Sequence, residues 1–403
     1  RLLSINLIRS NPVVYGVKNK LKLMLNIISK KETLRDFSKR TGFNENNLYY
    51  NWVNDIARGN IHLNDIKILI KESNYDAEDV YKDVQWLSLY KGHKIKMPLY
   101  VNNDLLYLAG LIAGDGDITK SRNSVTIRLS NNSQQIIDDF KNISYNLFNI
   151  KPFLSSKRDL KRSESWRISS NIIFEILNSF GIPLSPKSEK LDMSNILLKL
   201  PNELKKSFIQ GCFDTDGSVV ERKSKGSNHI CYSTSSKRFA VKLQLLLLRF
   251  GIYSKIRSKK PKTAIKKDGS KIIARYEKYT IEIMGKENLI SFKDKINFRL
   301  NEKKEKLQRI ISKISKSNTN IDIIPGAHLL LEHFGIKYKK FIHKDAIGIS
   351  RDRLKRLIFN LELENNEFSY LKDLSNSDIF WEEVISINKN FNHGYEYVYD
   401  ITV

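Results

Sequence analysis

The chain has 403 residues, 41% hydrophobic and 10% aromatic, enough to bury cores in more than one domain. Lys and Arg number 69 against 44 Asp and Glu, a formal charge of +25 that repels itself in a compact fold unless a polyanion absorbs it, so nucleic acid is the leading partner. No run approaches the roughly 18 apolar residues of a membrane span, and the two cysteines, Cys212 and Cys231, fall in no CxxC or Cys/His cluster, which excludes a disulfide framework and structural zinc.

The first thirty residues also lack the apolar core of a secretory signal, so a soluble, cytoplasmic protein is expected. Residues 1–95 read as a helical accessory domain. In "TLRDFSKRTGFNENNLYYNW", Leu34, Phe37, Phe43 and Leu48 are spaced to face one core, with Gly42 between two runs in the manner of a helix-turn-helix.

From Leu105 the texture changes to an apolar, glycine-bearing segment, "LLYLAGLIAGDGDI", and then to the strand "SVTIRLS". There Val125, Ile127 and Leu129 alternate with Thr126, Arg128 and Ser130, which gives one core face and one polar face. The amphipathic helix "SQQIIDDFKNISYNLFNI" follows. Near residue 208 the same order restarts with "SFIQGCFDTDGSVV", "HICYSTS" and "SKRFAVKLQLLLLRFGI", an internal duplication. The two copies are assigned to 96–200 and 201–300, and the stretch 185–202 between them reads as a connector. Residues 301–370 form a further helical accessory unit, in which "NEKKEKLQRIISKISKS" looks like a spacer and Pro325 and Gly326 mark the entry to a basic helical segment.

Chemistry concentrates in the two glycine-bearing segments. Each is an apolar helix with glycine at its third motif position, Gly110 and Gly211, and each ends in Asp-Gly. An interior helix glycine costs about 1 kcal/mol relative to alanine, so two at matching positions point to close helix-helix approach. Pairing about a pseudo-twofold axis brings Asp115 and Asp216 together at two helix C-termini, where both the neighbouring carboxylate and the helix dipole repel negative charge. A divalent cation resolves that conflict. Oxygen ligands without His or Cys favour Mg²⁺, with Mn²⁺ as the alternative, and such a site suits phosphodiester hydrolysis.

Both segments resemble the signature of the LAGLIDADG homing endonucleases in their single-chain, two-motif form, and are similar to archaeal intein-encoded endonucleases. The first copy departs from the signature with Ala113 and Gly114 but keeps the essential acid, Asp115; the second matches less closely but keeps Asp216 and Gly217. The resemblance implies an α+β fold, a pseudo-twofold duplicated αββαββα core whose saddle-shaped antiparallel sheets lie over a DNA duplex, flanked by small helical domains. It implies that the carbonyls of Gly114 and Thr215 join the metal ligands Asp115 and Asp216, and that cleavage across the minor groove leaves short 3′ overhangs. A cationic residue near each metal also follows, with Lys286 or Lys278 as candidates in the second half and Arg167 in the first.

A saddle over DNA further requires basic residues on one face of each sheet. Lys255, Arg257 and Lys259 alternate with Ile256, Lys266 and Lys267 lie at an expected hairpin tip, and Arg128, Arg222, Lys223 and Lys237 extend the set. The partner is expected to be double-stranded DNA with a long asymmetric target, bound by a monomer. The closing segment, 371–403, resembles the end of archaeal inteins, which implies a prokaryotic, intein-derived endonuclease. Because the chain starts at Arg1 and stops at Val403 without a terminal Asn, it is not expected to splice as given. A non-cleaving DNA-binding regulator and an RNA maturase are the alternatives on the same fold.

Overall fold

In the computed structural model the described residues are 2–52, 60–89, 92–157, 163–222, 228–261, 263–265, 271–273, 275–314, 323–336, 348–360, 368–377, 379 and 381. The chain divides into two compact units, Arg1–Ser315 and Lys316–Val403.

The first unit opens with β1 (Val13–Tyr15), α1 (Lys18–Ser29), α2 (Leu34–Thr41), β2 (Ile61–His62), α3 (Leu63–Ser73), α4 (Ala77–Lys82) and β3 (Trp86–Ser88). Thr33 caps α2 by accepting the Asp36 N–H, and Gly42, at φ 77°, ends it in the left-handed conformation. Phe37 and Leu48 are buried, with Leu34 and Phe43 packed against them, so the apolar spacing does select one core face. The region is not purely helical, because β1, β2 and β3 form an antiparallel sheet in the order β2-β1-β3. Strands of two or three residues leave no readable alternation. The segment read as a helix-turn-helix, 33–52, lies within the described residues, where α2 and Gly42 are followed by a single wide helical turn, Asn47–Asn51.

The first repeat is α5 (Asn103–Gly114), β4 (Gly116–Ser121), β5 (Ser124–Asn131), α6 (Gln134–Phe148), β6 (Phe153–Ser156), β7 (Glu164–Ser169) and α7 (Asn171–Ser179), followed by the short α8 (Asn195–Lys199). The second is α9 (Asn202–Thr215), β8 (Gly217–Val220), β9 (His229–Thr234), α10 (Lys237–Arg249), β10 (Lys255–Lys259), the hairpin strands β11 (Thr263–Ile265) and β12 (Lys271–Ile273), β13 (Lys278–Met284) and α11 (Lys286–Lys295). Both are αββαββα, the second with a hairpin inserted. Their four-stranded antiparallel sheets share one order, β4-β5-β7-β6 and β8-β9-β13-β10. On β5, Val125, Ile127 and Leu129 are buried and the intervening residues are not, as the alternation requires.

Charged α12 (Asn301–Lys313) is not a spacer. Leu307, Ile310 and Ile311 are buried in a core that runs without interruption from Ile5, because their spacing of three and one places them on one helical face. The second unit contains β14 (Ile323–Pro325), α13 (Ala327–His333), β15 (Gly348–Ser350), α14 (Arg351–Asn360) and α15 (Ser369–Asn376) around a separate small core. The expected closing strand falls in 382–403, outside the described residues. No helix among the described residues is long and apolar enough to cross a membrane.

Candidate active site

Helices α5 and α9 meet backbone to backbone. A Cβ built on Gly110 would lie 2.2 Å from the Phe208 carbonyl oxygen and 2.9 Å from the Gly211 Cα; one on Gly211 would lie 2.4 Å from the Tyr107 carbonyl oxygen. Near the bottom of the seam, a Cβ on Gly114 would run into the Thr215 side chain. Only hydrogen fits at these positions, which accounts for glycine inside helices that would otherwise favour alanine.

Asp115 and Asp216 are the C-caps of the two helices, with near-identical backbone angles of φ −84°, ψ 3° and φ −84°, ψ −7°. Desolvation by the surrounding protein pushes the Asp216 carboxyl up to about 6 although the residue as a whole stays exposed, and the charge of Asp115 adds to the rise; nearby Lys187, Lys303 and Lys278 oppose it. Asp115 is also raised by burial, but the Asn131 amide donates to it at 2.6 Å and holds it partly in check. In the sheet register Gly116 pairs with Leu129 and Gly217 with Tyr232, so the counterpart of Asn131 is Thr234. Its hydroxyl instead accepts the Ser236 N–H at 3.1 Å. The two carboxylates are therefore held unequally.

Two lysines that were not singled out from the sequence close the site. Lys187 Nζ donates to the carbonyls of Ile112 (2.7 Å), Ala113 (2.8 Å) and Gly114, the last three of α5. Lys303 Nζ donates to those of Phe213 (2.9 Å), Asp214 (2.6 Å), Thr215 (3.1 Å) and Gly217 (2.6 Å) at the end of α9. Each ammonium satisfies carbonyls that a helix C-terminus leaves unpaired and sits at the negative end of its dipole. Burial pulls Lys187 down to about 8, and Asp216 and Asp115 keep it from falling further; Lys303 is lowered for the same reason. One signal was available: each lysine falls eight residues beyond the third helix of its repeat, 187 − 179 and 303 − 295.

Among the described residues no three His, Cys, Asp or Glu side chains gather as a metal site. The donors expected to hold a metal are the carboxylates of Asp115 and Asp216 and the carbonyls of Gly114 and Thr215, which here accept from Lys187 and Lys303; all are hard oxygen, which fits a largely hydrated Mg²⁺ or Mn²⁺ better than zinc. Beside them opens a cleft of about 540 Å³ lined by Gly114, Lys187, Asp216, Ser233, Arg275 and Lys278, among others.

Of the cationic candidates, Lys278 lines this cleft. Lys286 begins α11, at the opposite end of β13 from Lys278. Arg167 is exposed on β7, in register with Arg128 of β5 and separated by that strand from β4, which follows Asp115. Arg128 is ion-paired with Asp117. Lys255, Arg257 and Lys259 are exposed on β10 and in register with Glu282, Thr280 and Lys278, opposite the buried Ile281 and Ile283; Arg257 pairs with Glu282 at 2.7 Å. Arg222 and Lys237 are exposed, and Lys223, Lys266 and Lys267 lie outside the described residues.

Residues 102–180 and 203–297 match the LAGLIDADG-like domain. The chain is similar to the probable translation initiation factor IF-2 of Methanocaldococcus jannaschii, 31% identical over 66% of this chain and 22% of that protein. It is similar to elongation factor 2 of Methanopyrus kandleri, at 27% over 89% of this chain and 26% of that protein. A third relative is the DNA-directed RNA polymerase subunit Rpo1C of M. jannaschii, at 27% over 77% and 35%. The chain thus spans about a quarter to a third of the length of these relatives. Among solved structures it is similar to the homing endonuclease I-DmoI in complex with DNA and Mn, with 17% identity, 49% of this chain and 97% of that chain covered, and a TM-score of 0.34. The N-terminal LAGLIDADG domain of DUF199/WhiA gives 15%, 50%, 85% and a TM-score of 0.33.

Proposed function

From the premise that this chain carries a LAGLIDADG-like domain in two consecutive segments, we propose that it is a site-specific endonuclease that hydrolyses one phosphodiester bond in each strand of duplex DNA. The observation that carries this reading is the pair of carboxylates, the half-buried Asp115 and the exposed Asp216, at matched ends of two helices in backbone contact, each backed by a lysine. Asp115 and Asp216, with the carbonyls of Gly114 and Thr215, would hold the divalent ion. Bound there, Mg²⁺ or Mn²⁺ supplies an activated water and stabilises the leaving oxygen. Lys187 and Lys303 place positive charge where negative charge develops on the phosphate. The exposed cations of β10 are assigned to phosphates and base edges, and the net charge of +25 favours a polyanion. Two sheets of different sequence in one chain suit a long asymmetric target and a monomer.

We further infer an intein-type origin. The relatives are proteins of unrelated kinds, each matched over a minor part of its length. A segment common to otherwise different proteins is what an inserting element leaves behind.

Incubating the chain with a plasmid library of randomised duplex sites and Mg²⁺ tests this reading: linear product from a narrow set of sites is expected. Duplex binding without cutting would favour the regulator, and preference for RNA the maturase. Lys187→Met and Lys303→Met are each expected to slow cutting on the order of 10²-fold, as for loss of one positive charge that stabilises the transition state, with affinity changed only a few-fold in filter binding. Cutting rates equal to wild type would remove the lysines from the mechanism.

Metal binding should also depend on pH in a definite direction. A carboxyl raised to about 6, as Asp216 is, binds its proton more tightly folded than unfolded. Its stabilising contribution to the metal-free protein is full below about 4 and is lost as pH rises through 6. The ion needs the carboxylate form, so added Mg²⁺ is expected to raise the melting temperature at pH 7.5 and not at pH 5. An equal rise at both would place the ion elsewhere.

A further inference from the structure

Asp214 stands at the sixth motif position of the second copy, where the first copy has Ala113, and its side chain takes no part in the chemistry described above. It is buried, 1% exposed, on the seam between the repeats. Its Oδ2 accepts from the Tyr107 hydroxyl of α5 at 2.9 Å and from the Arg299 N–H at 3.1 Å. Arg299 and Leu300 immediately precede α12, the helix that carries Lys303. The Arg299 guanidinium lies 4.1 Å from the centre of the Tyr107 ring and donates to Gln210 Oε1 at 3.2 Å. From the first repeat, the Gln135 amide donates to the Arg299 carbonyl at 2.8 Å and accepts the Asn301 N–H at 3.1 Å. The start of α12 is thus gripped from two sides, by a carboxylate of the second repeat and an amide of the first.

We propose that Asp214 is a positioning residue that seats α12 so that Lys303 reaches the end of α9. The consequence is unequal. Lys187 lies in a loop and sits beside Ala113, which has no carboxylate to offer, so only the site of Asp216 depends on this device. The inference rests on the cleavage reading above and adds that one strand's cut is controlled by a buried acid that never touches DNA.

Asp214→Ala removes a charge-assisted acceptor shared by the Tyr107 hydroxyl and the Arg299 N–H, a loss of roughly 1.5–3 kcal/mol or about 10–150-fold. Hydrogen exchange at the start of α12, read by mass on peptides spanning 297–306, is expected to accelerate by at least roughly 10-fold, while α5 stays protected. On plasmid substrate the same variant should accumulate nicked circles, with one strand, the same in every molecule, cut at least roughly 10-fold more slowly and substrate KM little changed. Asp214→Asn, which keeps an acceptor oxygen, should restore most of both. Should Asp214→Ala fail to fold, Gln135→Ala loosens the other grip without altering the motif and is expected to give the same strand bias. Equal slowing of both strands, or α12 exchange equal to wild type, would overturn the proposal. A wild-type chain that cuts nothing would sink the cleavage reading, and exchange at α12 would still decide whether Asp214 seats the helix.

Discussion

Asp115→Asn and Asp216→Asn are each expected to lower double-strand cutting by roughly 10³-fold or more while leaving affinity for duplex DNA within a few-fold. Asparagine keeps the size and one acceptor oxygen but not the charge, and a hard divalent ion bound through few protein ligands loses most of its hold with one carboxylate gone. The loss of water activation and leaving-group stabilisation is several kcal/mol, and each 1.36 kcal/mol is tenfold. Affinity survives because phosphate contacts come from the sheets, and removing a negative charge beside a polyanion favours association slightly. Residual activity should be nicking of a single strand. Neutralising Asp115 also ends the repulsion that adds to the rise of Asp216, so the metal-free Asp115→Asn protein should melt higher than wild type at neutral pH. Linear product at wild-type rates from both variants would reject the two-carboxylate mechanism.

Gly110→Ala and Gly211→Ala are expected to destabilise the first unit by about 3 kcal/mol or more, the upper range for overpacking, although alanine gains about 1 kcal/mol in helix propensity. The sign is set by what the methyl meets. At Gly110 it would stand 2.2 Å from a backbone oxygen and at Gly211 2.4 Å from another, so relief requires the helices to separate, not a side chain to turn. Separation also moves Asp115 away from Asp216, so cutting should fall further than the folded fraction does. The midpoint of denaturant unfolding measures the first effect and cutting per folded molecule the second. A variant more stable than wild type would mean that the seam is looser than drawn.

The parts of this molecule legible in its sequence are those in which one residue type serves one constraint repeatedly. Gly110 and Gly211, each five residues before an Asp-Gly pair, report a close approach, and the alternation from Val125 to Leu129 reports a half-buried strand. Less legible were features fixed by tertiary proximity. Lys187 and Lys303 lie in polar stretches read as connector and spacer, where a lysine that will be buried against helix carbonyls looks like any solvated one. Asp214 stands out only once its burial is known. Lys278 and Lys286 are near neighbours in sequence, yet an extended strand between them covers roughly 25 Å at about 3.3 Å per residue, which brings one to the cleft and leaves the other behind. The N-terminal sheet escaped notice because strands as short as Ile61–His62 carry no period at all.

The seam between α5 and α9 is made largely of peptide groups meeting peptide groups, and this insulates it. Mutational drift works through side chains, and away from Gly110, Gly114 and Gly211 a main-chain contact offers it little to act on. Under the endonuclease reading, residues of the two sheets can be exchanged one by one, each altering the duplex sequence bound, while the spacing of the acids at the seam's end is inherited intact. A protein so built can change its address repeatedly without relearning its chemistry.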